Sequence, residues 1–239
     1  MEFANEVRSI IERAHQLELD FVNGLPEEER TACGTADQWC IKDILAHSAF
    51  WKEHLATNMR AVARGKAPKS LDDYERVNRE CFEENRDRPC DDIVGLSERA
   101  HRLFADTVQS MDDDGLRSEE VWPGQDGRPV WESVVGTGYT HPITHLAQYQ
   151  AQQGRGDQTI QLWKDSIALL GGLDDGPRWQ GLMHYNMACM YSLAGSHDAA
   201  VEELGQALQL RPDLIEWSEQ DADLNPLRER DDFKALYSK

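Results

Sequence analysis

Apolar residues return every three or four positions in four long stretches of this chain, and the text between them is polar or broken by glycine and proline. Phe3, Val7, Ile10, Ala14, Leu17 and Phe21 make the first stretch, which predicts a helix over residues 3–22, stopped at Asn23-Gly24-Leu25-Pro26. After a polar connection over residues 31–38, Trp39-Cys40-Ile41-Lys42-Asp43-Ile44-Leu45-Ala46-His47 opens a second helix that runs to about Arg64. Its apolar face is Ile41, Ile44, Leu45, Ser48, Leu55 and Met59, and His47 sits about 90° from the centre of that face with Trp51 and His54 on the same flank. A histidine there can look into a cleft between helices, or it can be a half-buried residue with a backbone partner.

Ser70 or Asp72 is the expected cap of a shorter helix through Tyr74, Val77, Cys81 and Phe82. Asp91 or Asp92 is the expected cap of a third long helix carrying Ile93, Leu96, Ala100, Leu103, Phe104, Val108 and Met111. Residues 121–131 hold Asp126-Gly127 between two apolar pieces, which predicts a small hairpin or lid loop. The fourth long helix covers some or all of residues 132–153. Four such helices with little strand signal predict an all-α protein built on a four-helix bundle over residues 1–155, an architecture that places metal sites between facing helices.

The fourth helix carries the chemistry. His141 and His145 stand four apart, so on a helix their imidazoles lie one turn above each other and can aim at one point. Two imidazoles suit zinc or another borderline divalent ion, but a third ligand must come from elsewhere. Pro142 follows the first of them. Either His141 caps a helix that starts at Pro142, or Gly136 and Gly138 absorb a kink in a longer one.

Charge narrows the partners. There are 44 acidic and 25 basic residues, a net charge of −19, which disfavours both nucleic acid and anionic membrane. No apolar run is long enough to span a bilayer, and the first residues lack the basic start and apolar stretch of a signal peptide. Five scattered cysteines without a CxxC pair read as reduced thiols, so a cytoplasmic protein is expected. His101, His184 and His197 lack partners at ligand spacing and read as structural; Cys81 and Cys90 read as small buried apolar residues.

Three stretches together resemble the DinB-like four-helix-bundle superfamily: residues 39–47, Glu83-Glu84-Asn85-Arg86-Asp87, and residues 138–145. Cys40 stands where the family usually has a hydroxyl cap. The closest look is to a branch of self-resistance and detoxification proteins whose fourth helix carries a Tyr-Gly-His-x-x-x-His stretch. The resemblance implies a divalent metal, zinc or nickel first, held by His47, His141 and His145. His54, further along the same flank as His47, is a reserve ligand by position or else a surface residue. It also implies thiol-dependent transfer or isomerisation in some branches, and it names no catalytic residue.

The last third resembles a tetratricopeptide repeat, expected as a helical segment over residues 156–239. With Pro212 near the end of the roughly 34-residue unit, Met187, Ala188, Tyr191, Gly195, Ala200, Leu204 and Ala207 fall at its alternating large and small places. His184 stands where tryptophan is usual. The same register started from Gly154 puts Leu146 and Ala147 in a first helix and Trp163 in its partner, so the segment is expected to pack on the last bundle helix. The tail from Trp217 through Leu227 to Phe233 and Leu236 would close the stack.

These readings lead to a metal-dependent enzyme acting on an electrophilic small molecule, by hydrolysis or thiol transfer. The alternative is a non-catalytic module whose repeat groove binds a peptide partner. A homodimer is allowed by either.

Overall fold

The computed structural model describes residues 2–36, 38–119 and 127–237. Among the described residues there is no strand, and Thr35 and Gln38 form only an isolated bridge. The chain divides into two compact units, Met1–Leu146 and Ala147–Lys239.

In the first unit, α1 (Glu2–Gly24) buries Phe3, Val7, Ile10, Ile11 and Ala14 along one stripe, as its periodicity requires. A short α2 (Glu27–Thr31) follows, then α3 (Ile41–Ala63), capped by Cys40. The hydroxyl that the resemblance led one to expect is replaced by a carboxylate relay. Asp43 Oδ2 accepts from the Cys40 N–H at 3.0 Å and lies 3.0 Å from the Cys40 thiol. Burial, helped by Asp43, pushes that thiol up to about 11. It is a cap, not a nucleophile.

Two expected caps move. α4 (Tyr74–Asn85) is capped by Asp73, not by Ser70 or Asp72, because Asp73 Oδ1 reaches the Arg76 N–H at 2.8 Å. α5 (Cys90–Gln109) begins one turn early, with Pro89 before it, so Asp91 and Asp92 fall inside its first turn, where their charge suits the helix dipole. A short α6 (Asp113–Arg117) follows. The expected hairpin or lid over residues 121–131 lies mostly outside the described residues.

The fourth long helix is a relay of α7 (Val130–Val135), a π-helical turn (Gly136–Thr140) and α8 (His141–Gln152). Of the two readings of Pro142, the longer helix is the one observed. His141 is helical, and its N–H reaches back five residues to Gly136 O. The wider turn accommodates the missing N–H of Pro142 without ending the helix.

Between the apolar stripes lies one charged pair. Lys52 on α3 and Glu18 on α1 are both fully buried and hydrogen-bonded to each other.

In the second unit, α9 (Gly156–Leu170), α10 (Pro177–Leu193) and α11 (His197–Leu210) are followed by short turns and by α12 (Ile215–Ser218) and α13 (Asp231–Ala235). Its core gathers Ala147, Trp163, Ala188, Ala200, Leu204, Ala207, Leu224, Leu227 and Phe233. Trp217 was expected in the closing tail but is 62% exposed, whereas Leu224, Leu227 and Phe233 do the closing.

Candidate metal centre

His47 stands on the second turn of α3 and is only 4% exposed, well inside the edge position that helical geometry assigns it. His141 opens α8 and His145 follows one turn later. The two helices bring all three rings together by the same atom. His141 Nε2 lies 2.9 Å from His47 Nε2 and 3.1 Å from His145 Nε2. One ligand atom from each of the three fits within a 4.8 Å cluster.

The relay through the π turn explains why the pair converges. Gly136 O accepts from the His141 N–H and, at 3.0 Å, from the Thr140 hydroxyl, which fixes the turn that delivers His141. Gly138 has to be a glycine. A Cβ there would sit 2.6 Å from Phe104 Cε1 and 2.7 Å from Ile11 Cγ2, both in a close-packed core.

Two tryptophans wall the rings. Trp39 packs on His47 and His145, with centroids at 4.6 and 5.8 Å, and Trp51 packs on His47 and His141 at 6.1 and 6.5 Å. Trp51 is anchored by its indole N–H to Asn78 Oδ1 at 3.3 Å. This apolar shell sets the charge state. Burial, with the His145 ring adding to it, pushes His47 down to about 3. Burial, then His145, His47 and Lys52, lowers His141 well below the ordinary histidine range.

These residues fit a divalent ion. A neutral imidazole offers one lone pair, and three imidazoles meeting Nε2 to Nε2 cannot satisfy one another, since His141 Nε2 can serve one partner as donor or acceptor but not both. Tetrahedral coordination at about 2.0–2.1 Å sets ligand nitrogens roughly 3.3 Å apart, close to the spacings seen. His47 Nδ1 is buried and has no hydrogen-bond partner among the described residues. A cation held by the three Nε2 atoms would take up a lone pair from each ring at once.

The other histidines go elsewhere. His54 pairs with Asn58 at 3.0 Å and stays out of the cluster. His101 stacks on His15 with centroids 4.0 Å apart, and His184 meets Glu203 at 2.6 Å. Asn85 donates to Cys81 O at 2.8 Å and is buried; Glu83 is an exposed partner of Arg86. The tryptophan walls were missed from sequence, although Trp51, one turn beyond His47, carried the signal.

Compared with known proteins, residues 11–141 match the family model described as the mycothiol maleylpyruvate isomerase N-terminal domain, a helical domain of the DinB-like superfamily. The match takes in His47 and His141 and ends four residues before His145. No curated protein and no solved structure matches the chain.

Proposed function

The chain belongs to the mycothiol maleylpyruvate isomerase N-terminal domain family, and on that premise we propose a metal-dependent enzyme acting on an electrophilic small molecule, with His47, His141 and His145 as the ligands. The observation that carries this reading is the meeting of three Nε2 atoms from two helices. When bound, a divalent ion such as zinc or nickel supplies Lewis acidity, which deprotonates a thiol or water near neutral pH. The family's name joins a thiol to an isomerase, which favours the thiol-dependent arm over simple hydrolysis.

The chain's own residues do the rest. The tryptophans exclude water from the far side of the rings, and Trp39 also lines a cavity of about 340 Å3 with Asn78, Arg79 and Phe82. None of the three histidines lines that cavity; Trp39, which packs on His47 and His145, is the residue the two share. Five unpaired cysteines, and no described helix long and apolar enough to cross a membrane, support the cytoplasm as its place of work. Detoxification is the role that this chemistry suits.

A second reading concerns the second unit, taken as a tetratricopeptide-like helix pair that binds a peptide. It rests on a repeated turn. Gly154 and Gly195 both adopt positive φ, +72° and +79°. The residue after each closes back on the preceding helix, Arg155 N–H to Gln150 O at 2.9 Å and Ser196 N–H to Tyr191 O at 2.8 Å. Small Ala188 and Ala200 are fully buried.

Metal analysis of protein prepared without chelator tests the first reading. Near-stoichiometric metal that falls away in His47→Ala and His141→Ala is expected. Metal-free protein that takes up no zinc or nickel on addition would overturn it.

A further inference from the structure

A cavity of about 560 Å3 lies in the first unit among α2, the start of α3 and the link from α4 to α5, and none of the three histidines lines it. It is of the size that holds a small metabolite. Four cations face it, Arg30, Lys42, Arg86 and Arg88, in a chain where acids outnumber bases 44 to 25.

Three acids, Glu27, Asp87 and Asp91, share the wall; the side chains of Asp87 and Asp91 are 95% and 89% exposed, and they pair with Arg86 and Arg30. The buried cation is Lys42. The Lys42 side chain is 5% exposed. Its position is costly twice over. It is a buried cation, and as the second residue of α3 it sits at the end of a helix dipole that repels cations. Compensation is partial. Arg86 O accepts one N–H at 2.5 Å, and Asp43 Oδ1 is 3.6 Å away, whereas an ammonium has three donors.

Arg30 adds a second opening. Its Nη2 donates to Asp91 Oδ1 at 3.1 Å, yet its buried Nε has no hydrogen-bond partner among the described residues. The first turn of the twenty-residue α5 reaches the same cavity through Cys90 and Asp91, and Pro89 before it offers no side-chain acceptor for the free N–H groups.

The geometry points to this cavity as a binding site for a small organic anion, carrying a phosphate or paired carboxylates, gripped by Lys42 and Arg30 above the start of α5. The net charge of −19 repels anions at long range, so the grip is local and weakens with salt. This site is independent of the histidine cluster and of any metal there.

Cys33, exposed, and Cys90, half-buried, line the cavity and serve as reporters. The experiment follows their alkylation by iodoacetamide in the full chain, by peptide mass mapping, while inorganic phosphate or succinate is added at constant ionic strength. One of the two anions should slow Cys90 alkylation about ten-fold when nine-tenths of the sites are filled. Which one protects decides between phosphate and carboxylate. Arg30→Gln and Lys42→Met should each raise the half-protecting concentration roughly ten-fold, the worth of one charge-assisted hydrogen bond. Arg30 is half-buried, so Arg30→Gln carries the test if Lys42→Met does not fold. Failure of both anions to protect, or unchanged protection in Arg30→Gln, overturns the proposal.

Discussion

Gly138 and Phe104 touch where a side chain would have to be: a Cβ on Gly138 would stand 2.6 Å from Cε1 of the phenylalanine. Phe104 and Ile11, the two residues such a Cβ would meet, are both buried in the core, where close packing resists their displacement. The depth at which the π turn seats, and with it the position of His141 three residues on, depends on one missing methyl group.

Gly138→Ala should therefore cost about 1–3 kcal/mol, the usual range for overpacking a core. It should also weaken metal binding, because the turn that delivers His141 has to shift. Urea denaturation and a zinc titration of the same variant check both. A stable variant with unchanged zinc affinity would show that the close approach does not set the site.

The pair between Lys52 and Glu18 offers a different kind of test. Burial works to raise Glu18, but the charge and hydrogen bond of Lys52, with His15 nearby, outweigh it, and the carboxyl ends below its ordinary value. Lys52→Met alone leaves a buried charge unpaired and should cost about 3–5 kcal/mol, whereas Lys52→Met with Glu18→Leu should recover most of that. A double-mutant cycle in urea reads the difference, and additive losses would refute the pairing.

The helices and their buried stripes were legible in the sequence because periodicity reports burial directly. Val7, Ile10 and Ala14 behave as their spacing says. The caps at α4 and α5 were not: at α4 neighbouring Asp72 and Asp73 compete for the same N–H groups and the backbone path chooses, and at α5 Pro89 opens the helix before either aspartate. Pro142 left two readings open, because the π turn that reconciles it with a helix depends on Gly138 meeting Phe104 and Ile11, far away in sequence. The spacing of His141 and His145 was plain, but His47 came only through resemblance. Helical geometry put it at the edge of a stripe and could not say that Trp39 and Trp51 would close over it.

His101 gives the protein an acid sensitivity. Burial first, then the charge of His15, lowers it from an ordinary 6.5 to about 4 in the folded protein. A depressed base binds its proton more readily when unfolded, so its stabilising effect is full above pH about 6.5 and is lost as pH falls towards about 4. The melting temperature should drop through that window, and His101→Gln should flatten the drop. A drop of equal size in both proteins would assign it to other groups.

The second unit includes the end of α8. Thr159 Oγ1 donates to Ala147 O at 3.1 Å, and Gln148 Nε2 donates to Asp223 at 2.9 Å. Burial pushes Asp223 up to about 6, and the Gln148 bond works against that rise. A fragment of residues 156–239 loses both contacts and a core position at Ala147, and is expected to aggregate or to melt without cooperativity. A soluble fragment with a sharp transition would mean that this unit does not need the helix.

His145→Ala separates ligand from scaffold. The ring is half-buried and meets His141 at 3.1 Å, while the next two residues, Leu146 and Ala147, are buried in packing that the substitution leaves alone. Removing one of three imidazoles should abolish tight zinc or nickel binding, because two ligands hold a borderline ion poorly. Thiol-dependent activity should go with the metal. Folding should suffer little, since the core around the site is apolar; with metal stripped from both proteins, the melting temperature should fall by only about 2–4 °C. A structural histidine predicts the reverse order, a large loss of stability in metal-free protein and no metal to lose. Calorimetry on stripped samples and metal analysis on untreated ones distinguish the two, and full metal content with unchanged stability would remove His145 from both roles.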